Sequence, residues 1–167
     1  MYDDNVQFED IADYRIHKFL KPECKNVFDD VVDDDFIYNL KPMEGAVETL
    51  NYLSQHFYIY FASAAHPKTL YARDKLLSKT FEWYRTRQLI RCNDKDRLNL
   101  DWLGDDCLDN LIYFKGSKML MNRPWNERLP AYGMKRVYKW KQIYDYFNGD
   151  RRLFTKYDGV SYNCTGV

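Results

Sequence analysis

The chain has 167 residues, with 25 Lys and Arg against 25 Asp and Glu. That length suits one domain able to bury a core without disulfide or metal staples, and the balanced charge leaves no net field to recruit nucleic acid or an anionic membrane. No apolar run reaches membrane-spanning length, and Met1-Tyr2-Asp3-Asp4-Asn5 is not the start of a secretory signal. Cys24, Cys92, Cys107 and Cys164 stand far apart without a Cys-x-x-Cys, and His17, His56 and His66 fall in no zinc-like spacing. The expectation is reduced thiols in a cytoplasmic protein.

Acidic residues gather at Asp29, Asp30, Asp33, Asp34 and Asp35 and again at Asp105, Asp106 and Asp109, and basic residues around Lys135, Arg136, Lys139 and Lys141. The first and third of these clusters read as solvated faces. Residues 8–35 read as two short helices, the second from about Glu23 with Val27, Phe28, Val31 and Val32 on its apolar side. Pro42 is placed in the first turn of a helix, where its missing N–H costs nothing, with Val47, Leu50 and Leu53 as the buried stripe. Phe57 to Ala62 is a near-continuous apolar run, expected to be a strand covered on both faces. The loop Ser63-Ala64-Ala65-His66-Pro67 leads into a helix through Leu70, Leu76 and Leu77. Short strands follow at Gln88–Cys92, Leu100–Gly104, Lys118–Met121 and Arg136–Tyr138, with helices through Leu108 and Leu111 and from Trp140 to Phe147. This alternation after residue 42 predicts an α/β class with a mostly parallel sheet.

In such a sheet, ligands gather outside the carboxyl ends of the strands. Ser63 closes one predicted strand, Lys95 lies just past another, and Asp105-Asp106 closes a third. A hydroxyl, a cation and a carboxylate pair suit phosphoryl chemistry through a metal. The carboxylates can hold Mg²⁺, a hard ion that prefers oxygen ligands, while the lysine and hydroxyl offset charge on the phosphoryl oxygens.

Ser63, Lys95 and Asp105-Asp106 resemble the second, third and fourth motifs of the HAD superfamily. The surrounding sequence is most similar to the cytosolic type C 5′-nucleotidases, which include the 5′(3′)-deoxyribonucleotidases. It carries Phe8-Glu9-Asp10-Ile11, Leu40-Lys41-Pro42-Met43-Glu44-Gly45-Ala46, Ala64-Ala65-His66-Pro67-Lys68-Thr69, Leu103-Gly104-Asp105-Asp106 and Asn122-Arg123-Pro124-Trp125-Asn126. The resemblance covers about residues 5 to 147. It implies a HAD-like Rossmannoid core over 41–148 and a small helical cap within 1–40, leaving 149–167 as a tail without an assigned role. It further implies a nucleoside monophosphate or other phosphate ligand, Mg²⁺, Ser63 and Lys95 as catalytic residues, and Asp105 and Asp106 as metal ligands. Ala64 and His66 would border the phosphate, Phe28, Phe36 and Tyr38 could stack on a base, and Trp125 and Asn126 would sit at the rim.

Phosphatases of this superfamily attack through the first aspartate of an Asp-x-Asp motif that ends a central strand. Met1 to Asn5 has no apolar run before it, and Val27-Phe28-Asp29-Asp30 follows a polar stretch and falls where the cap helix belongs. The sequence thus reads as a family member that starts after the nucleophile motif, expected to have little phosphatase activity and weak Mg²⁺ binding. A catalytically dead phosphate-binding protein and a fragment completed by a second polypeptide are the alternatives. With the central strand absent, the strands ending at Ser63 and at Gly104 are expected to pair directly, or the slot between them to be filled by the N-terminus, by the tail around Arg152-Leu153-Phe154 or by a strand from a second chain, a homo-oligomer included, with direct closure or a partner strand favoured. An empty slot, or the two strands on opposite edges of the sheet, would count against the superfamily.

Overall fold

Short apolar stretches separated by amphipathic helices fold into two parallel sheets. In the computed structural model, which describes residues 7–13, 18–22 and 33–149, β1 (Phe61–Ser63) pairs with β2 (Leu89–Arg91). β3 (Trp102–Asp105), β4 (Ser117–Met121) and β5 (Lys135–Val137) form the other sheet in that order. Each pairing is parallel, with a helix carrying the chain back between β1 and β2 and between β3 and β4, and a loop, residues 122–134, between β4 and β5. The helices are α1 (Asp34–Tyr38), α2 (Ala46–Ser54), α3 (Leu70–Thr80), α4 (Leu108–Ile112) and α5 (Trp140–Gly149).

Side chains alternate along β3 and β4, so the larger sheet buries both faces. Trp102, Met119 and Met121 pack with Leu53 of α2, Phe147 of α5 and Val137. Leu103 and Leu120 pack instead with Leu108 and Leu111 of α4 and with Phe114. Beside the smaller sheet, Phe61 stacks on Phe81 with ring centroids 5.7 Å apart and touches Trp83 and Tyr84. The Tyr84 hydroxyl donates to Asp74 Oδ1 at 2.7 Å and the Trp83 indole to Asn51 Oδ1 at 2.8 Å, so this aromatic turn ties α3 to α2.

Several elements differ from expectation. The helix expected to begin at Pro42 begins at Ala46, because Gly45 takes φ +74° as its N-cap. Its buried positions are Ala46, Thr49 and Leu53, and the Thr49 hydroxyl donates to the Trp140 carbonyl at 3.2 Å. The run from Phe57 to Ala62 is not covered on both faces. Phe57 and Ile59 face the core while Tyr58 and Tyr60 are 73% and 44% exposed, and regular pairing starts only at Phe61. Tyrosine tolerates this because its ring can lie on the surface while its hydroxyl stays in water. Part of the first acidic cluster is a helix cap, since the Asp33 carboxylate accepts from the Phe36 N–H at 2.8 Å.

The largest difference lies between the sheets. β1 and β3 do not pair, and among the described residues no strand joins them. Side chains connect the two halves instead. Phe57 and Ile59 ahead of β1 share a cluster with Trp102 of β3, and Lys95 after β2 forms an ion pair with Asp105. The expectation of closure treated both edges as buried. β1 is only half-buried along its length, so the burial that would make an unpaired edge costly is smaller than the expectation assumed.

Gly116 marks the tightest backbone approach. A Cβ there would lie 2.5 Å from the Leu100 carbonyl oxygen and 2.6 Å from that of Asp101, where the Ser117 N–H donates to Asp101 at 2.8 Å. Gly116→Ala is expected to destabilise the fold by about 1–3 kcal/mol, read as a lower midpoint in thermal or denaturant unfolding. An unchanged midpoint would show that the β3–β4 entry is not held by this contact.

Candidate functional site

Parallel strands leave the sheet at one edge, and Ser63, Lys95, Asp105 and Asp106 come off β1, β2 and β3 on that side. Lys95 Nζ lies 2.7 Å from Asp105 Oδ2, with the two side chains only 15% and 6% exposed. Asp105 Oδ1 accepts from the Cys107 N–H at 2.8 Å and from Asn110 Nδ2 at 3.1 Å. Both oxygens of Asp105 are therefore oriented by donors of the protein.

Asp106 differs from its neighbour. Burial pushes its carboxyl above the usual carboxylate range, and the adjacent Asp105 charge adds to this, while Arg123 and Lys95 pull it back. A half-buried carboxylate whose desolvation outweighs the nearby cations is a fitting partner for a hard divalent cation, whose ligands are oxygens. The fit is partial. Among the described residues no group of three or more His, Cys, Asp or Glu gathers to hold a metal ion, so Asp106 and Asp105 are two donors of a set that needs more. The Cys107 thiol is also pushed up, first by burial, which keeps it protonated beside the carboxylates.

Ser63 is joined to the same edge through the backbone. Its carbonyl accepts from the Cys92 N–H at 3.0 Å, and its hydroxyl accepts from the Ala65 N–H at 3.2 Å, so the loops after β1 and β2 leave together. Ala64 and His66 are exposed on this loop. His66 serves the turn that follows, with Nδ1 accepting from the Lys68 N–H at 3.3 Å and its carbonyl accepting from the Thr69 N–H and hydroxyl. Tyr38 is not brought to this group. Its ring lies under the Lys79 ammonium at 4.4 Å, near the far end of α3, roughly 14 Å of helix away from Leu70. Phe36 is exposed on α1, and Phe28 and Asp29 lie outside the described residues.

The segment after β4 contributes more than sequence reasoning assigned to it. Trp125 Nε1 and Asn126 Nδ2 both donate to the Asp106 carbonyl, at 3.2 and 2.8 Å, so the two expected rim residues reach the acidic pair through its backbone. Behind them, Arg136 Nη1 donates to Asn122 Oδ1 at 2.6 Å and to Asn126 Oδ1 at 2.9 Å, and Nη2 donates to the Leu129 carbonyl at 2.6 Å. Arg136 is thus no member of a solvated basic face. Its place on a C-terminal strand was the available signal, hidden by the lysines around it. Asn110 and Arg123 had no assigned role. Nothing in its local sequence separates Asn110 from an ordinary helix residue, whereas Arg123 stands in the Asn122–Asn126 stretch that carries the resemblance.

A protein-family model described as "5′ nucleotidase, deoxy (Pyrimidine), cytosolic type C protein" matches residues 1–153. The 5′(3′)-deoxyribonucleotidase of Clostridium acetobutylicum is 32% identical over 128 residues, covering 76% of this chain and 71% of that protein. The 5′(3′)-deoxyribonucleotidase of Bacillus subtilis is 28% identical over 145 residues, covering 85% and 82%. A putative 5′(3′)-deoxyribonucleotidase of Staphylococcus epidermidis is 26% identical over 147 residues, covering 86% and 80%. The parallel sheets and flanking helices agree with a HAD-like Rossmannoid fold, so the separation of β1 and β3 does not count against the superfamily. On a match that spans both sheets and every strand end described above, the chain belongs to the deoxy, cytosolic type C 5′-nucleotidase family and is a relative of the 5′(3′)-deoxyribonucleotidases.

Proposed function

We propose that the chain provides the phosphate- and cation-facing side of a phosphohydrolase site for deoxynucleoside monophosphates, in a cytoplasmic protein. The observation that carries this reading is the buried Lys95–Asp105 pair beside the desolvated Asp106 carboxyl, at the carboxyl edge of parallel strands. The Ser63 hydroxyl and Lys95 ammonium face the phosphoryl oxygens and offset their charge as the phosphate–oxygen bond breaks. Asp105 holds Lys95 in place, and Ala64 and His66 border the phosphate. Asp106, with Asp105 next to it, would hold Mg²⁺, which would neutralise phosphoryl charge. The attacking carboxylate is not among these residues. Among the described residues β1 and β3 each pair on one side only, so it would come on a strand from a segment outside the described residues or from a second chain.

The purified chain, given a deoxynucleoside monophosphate and Mg²⁺, is expected to bind the nucleotide and release little or no phosphate, because a missing nucleophile costs many orders of magnitude. Ser63→Ala should weaken that binding several-fold without moving the melting temperature. Robust turnover would overturn the missing-nucleophile reading and direct attention to Asp29. Nucleotide binding that neither Ser63→Ala nor Lys95→Met affects would overturn the site.

Two stability measurements probe the charges. Lys95→Met leaves Asp105 buried without its cation and should cost roughly 3–5 kcal/mol; a change well below that would mean that Cys107 and Asn110 suffice to hold the carboxylate. For Asp106, the folded pKa stands above the unfolded one, so the folded chain binds more protons. Stability therefore falls as pH rises from the ordinary aspartate range through the raised value. Asp106→Asn removes that penalty and should raise the melting temperature at pH 7 by roughly 2–4 °C, with the gain vanishing in acid, while calorimetric Mg²⁺ binding is lost. A lower melting temperature at pH 7, or Mg²⁺ binding that survives replacement of both aspartates by alanine, would refute the assignment.

A further inference from the structure

We infer that Asn126 is a positioning residue for the Asp105–Asp106 pair, acting by locking the peptide plane between Asp106 and Cys107. The inference rests on the cation-facing role proposed above for those aspartates. Asn126 is 1% exposed, and its side-chain amide is saturated. Nδ2 donates to the Asp106 carbonyl at 2.8 Å and to the Met121 carbonyl at 2.9 Å. Oδ1 accepts from the Arg123 N–H at 3.1 Å and from Arg136 Nη1 at 2.9 Å. Two carbonyls on one side and two N–H donors on the other admit one orientation of the amide, since a flip would set oxygen against oxygen and donor against donor.

The peptide plane it reaches is held at both ends. Its carbonyl takes Asn126 Nδ2 and Trp125 Nε1, and its N–H donates to Asp105 Oδ1. Fixing that plane therefore sets the backbone from which the Asp106 side chain leaves and the oxygen through which Asp105 is oriented. Arg136 backs the amide from β5, with further bonds to Asn122 and Leu129, so β5 bears on the direction of the two carboxylates at the end of β3. Trp125 also meets Phe8 edge-on, with ring centroids 5.7 Å apart, which keeps the indole N–H on its carbonyl. Outer partners of this kind orient metal-binding carboxylates, and removing one costs on the order of 10- to 100-fold in metal affinity.

The test is calorimetric titration of Mg²⁺ into the full chain and its variants, with the melting temperature of each recorded. Asn126→Asp keeps the size and the acceptor side but sets a carboxylate oxygen against the two carbonyls. Trp125→Phe keeps the ring packing and removes one donor, so it reports even where Asn126→Asp fails to fold. Thr49→Val removes a hydrogen bond between α2 and α5 that touches neither aspartate nor Asn126, and serves as the control for general destabilisation. The expected result is Mg²⁺ affinity reduced about 10-fold or more in Asn126→Asp and by a smaller factor in Trp125→Phe, with Thr49→Val unchanged in affinity despite a lower melting temperature. Wild-type binding matched by both folded site variants would overturn the positioning role and leave the cation-facing reading intact. An equal loss in Thr49→Val would also overturn it. A wild-type chain that binds no Mg²⁺ would overturn the cation-facing reading and the inference together.

Discussion

The buried ion pair between Lys95 and Asp105 is the contact on which the functional edge depends. The two sheets share no ladder there, and the pair links the loop after β2 to the end of β3 across the interruption. Moving two charges out of water is costly, and attraction repays the cost only with good geometry and further hydrogen bonds. Asp105 has these from Cys107 and Asn110. With that corner closed, the Ser63, Lys95 and Asp106 loops converge, and the hydrophobic cluster beneath them, from Leu53 to Phe147, can span both halves of the chain.

Asp106 presents the opposite case. Its neighbour pairs with Lys95, and its own carboxyl is half-buried, raised by desolvation and by the Asp105 charge more than Arg123 and Lys95 lower it. A carboxylate in that state costs stability unless a cation or a proton arrives, a strain that active sites retain because function uses it. The buried amide of Asn126 shows the same division of labour. Its neighbours satisfy all of its hydrogen bonds, and the network joins β4, β5 and the acidic turn. A fully satisfied buried network specifies one geometry, which is what two adjacent carboxylates need if both are to face a common ligand.

Much of this was legible in the chain itself. Alternating short apolar runs and amphipathic segments specify parallel strands and crossover helices, and Ser63, Lys95 and Asp105-Asp106 each fall just past such a run. These are local properties, set by side-chain period and by where a strand stops, so they survive without knowledge of the fold.

Other features were decided only by tertiary structure. Whether β1 and β3 pair depends on how much of each edge is buried, and water access to a three-residue strand cannot be read from its apolar composition. Arg136 looks like part of a basic surface run until β5 aims its guanidinium at Asn122, Asn126 and Leu129. Tyr38 reads as a base-stacking ring near the site, yet packing of α1 along α3 places it under Lys79. In each case the deciding quantity is a distance between residues far apart in sequence. The sequence determined the residue types at the strand ends and the class of sheet that presents them. The tertiary structure decided which of those residues meet, because hydrogen bonds and ion pairs act over about 3 Å and only the folded packing brings such partners within reach.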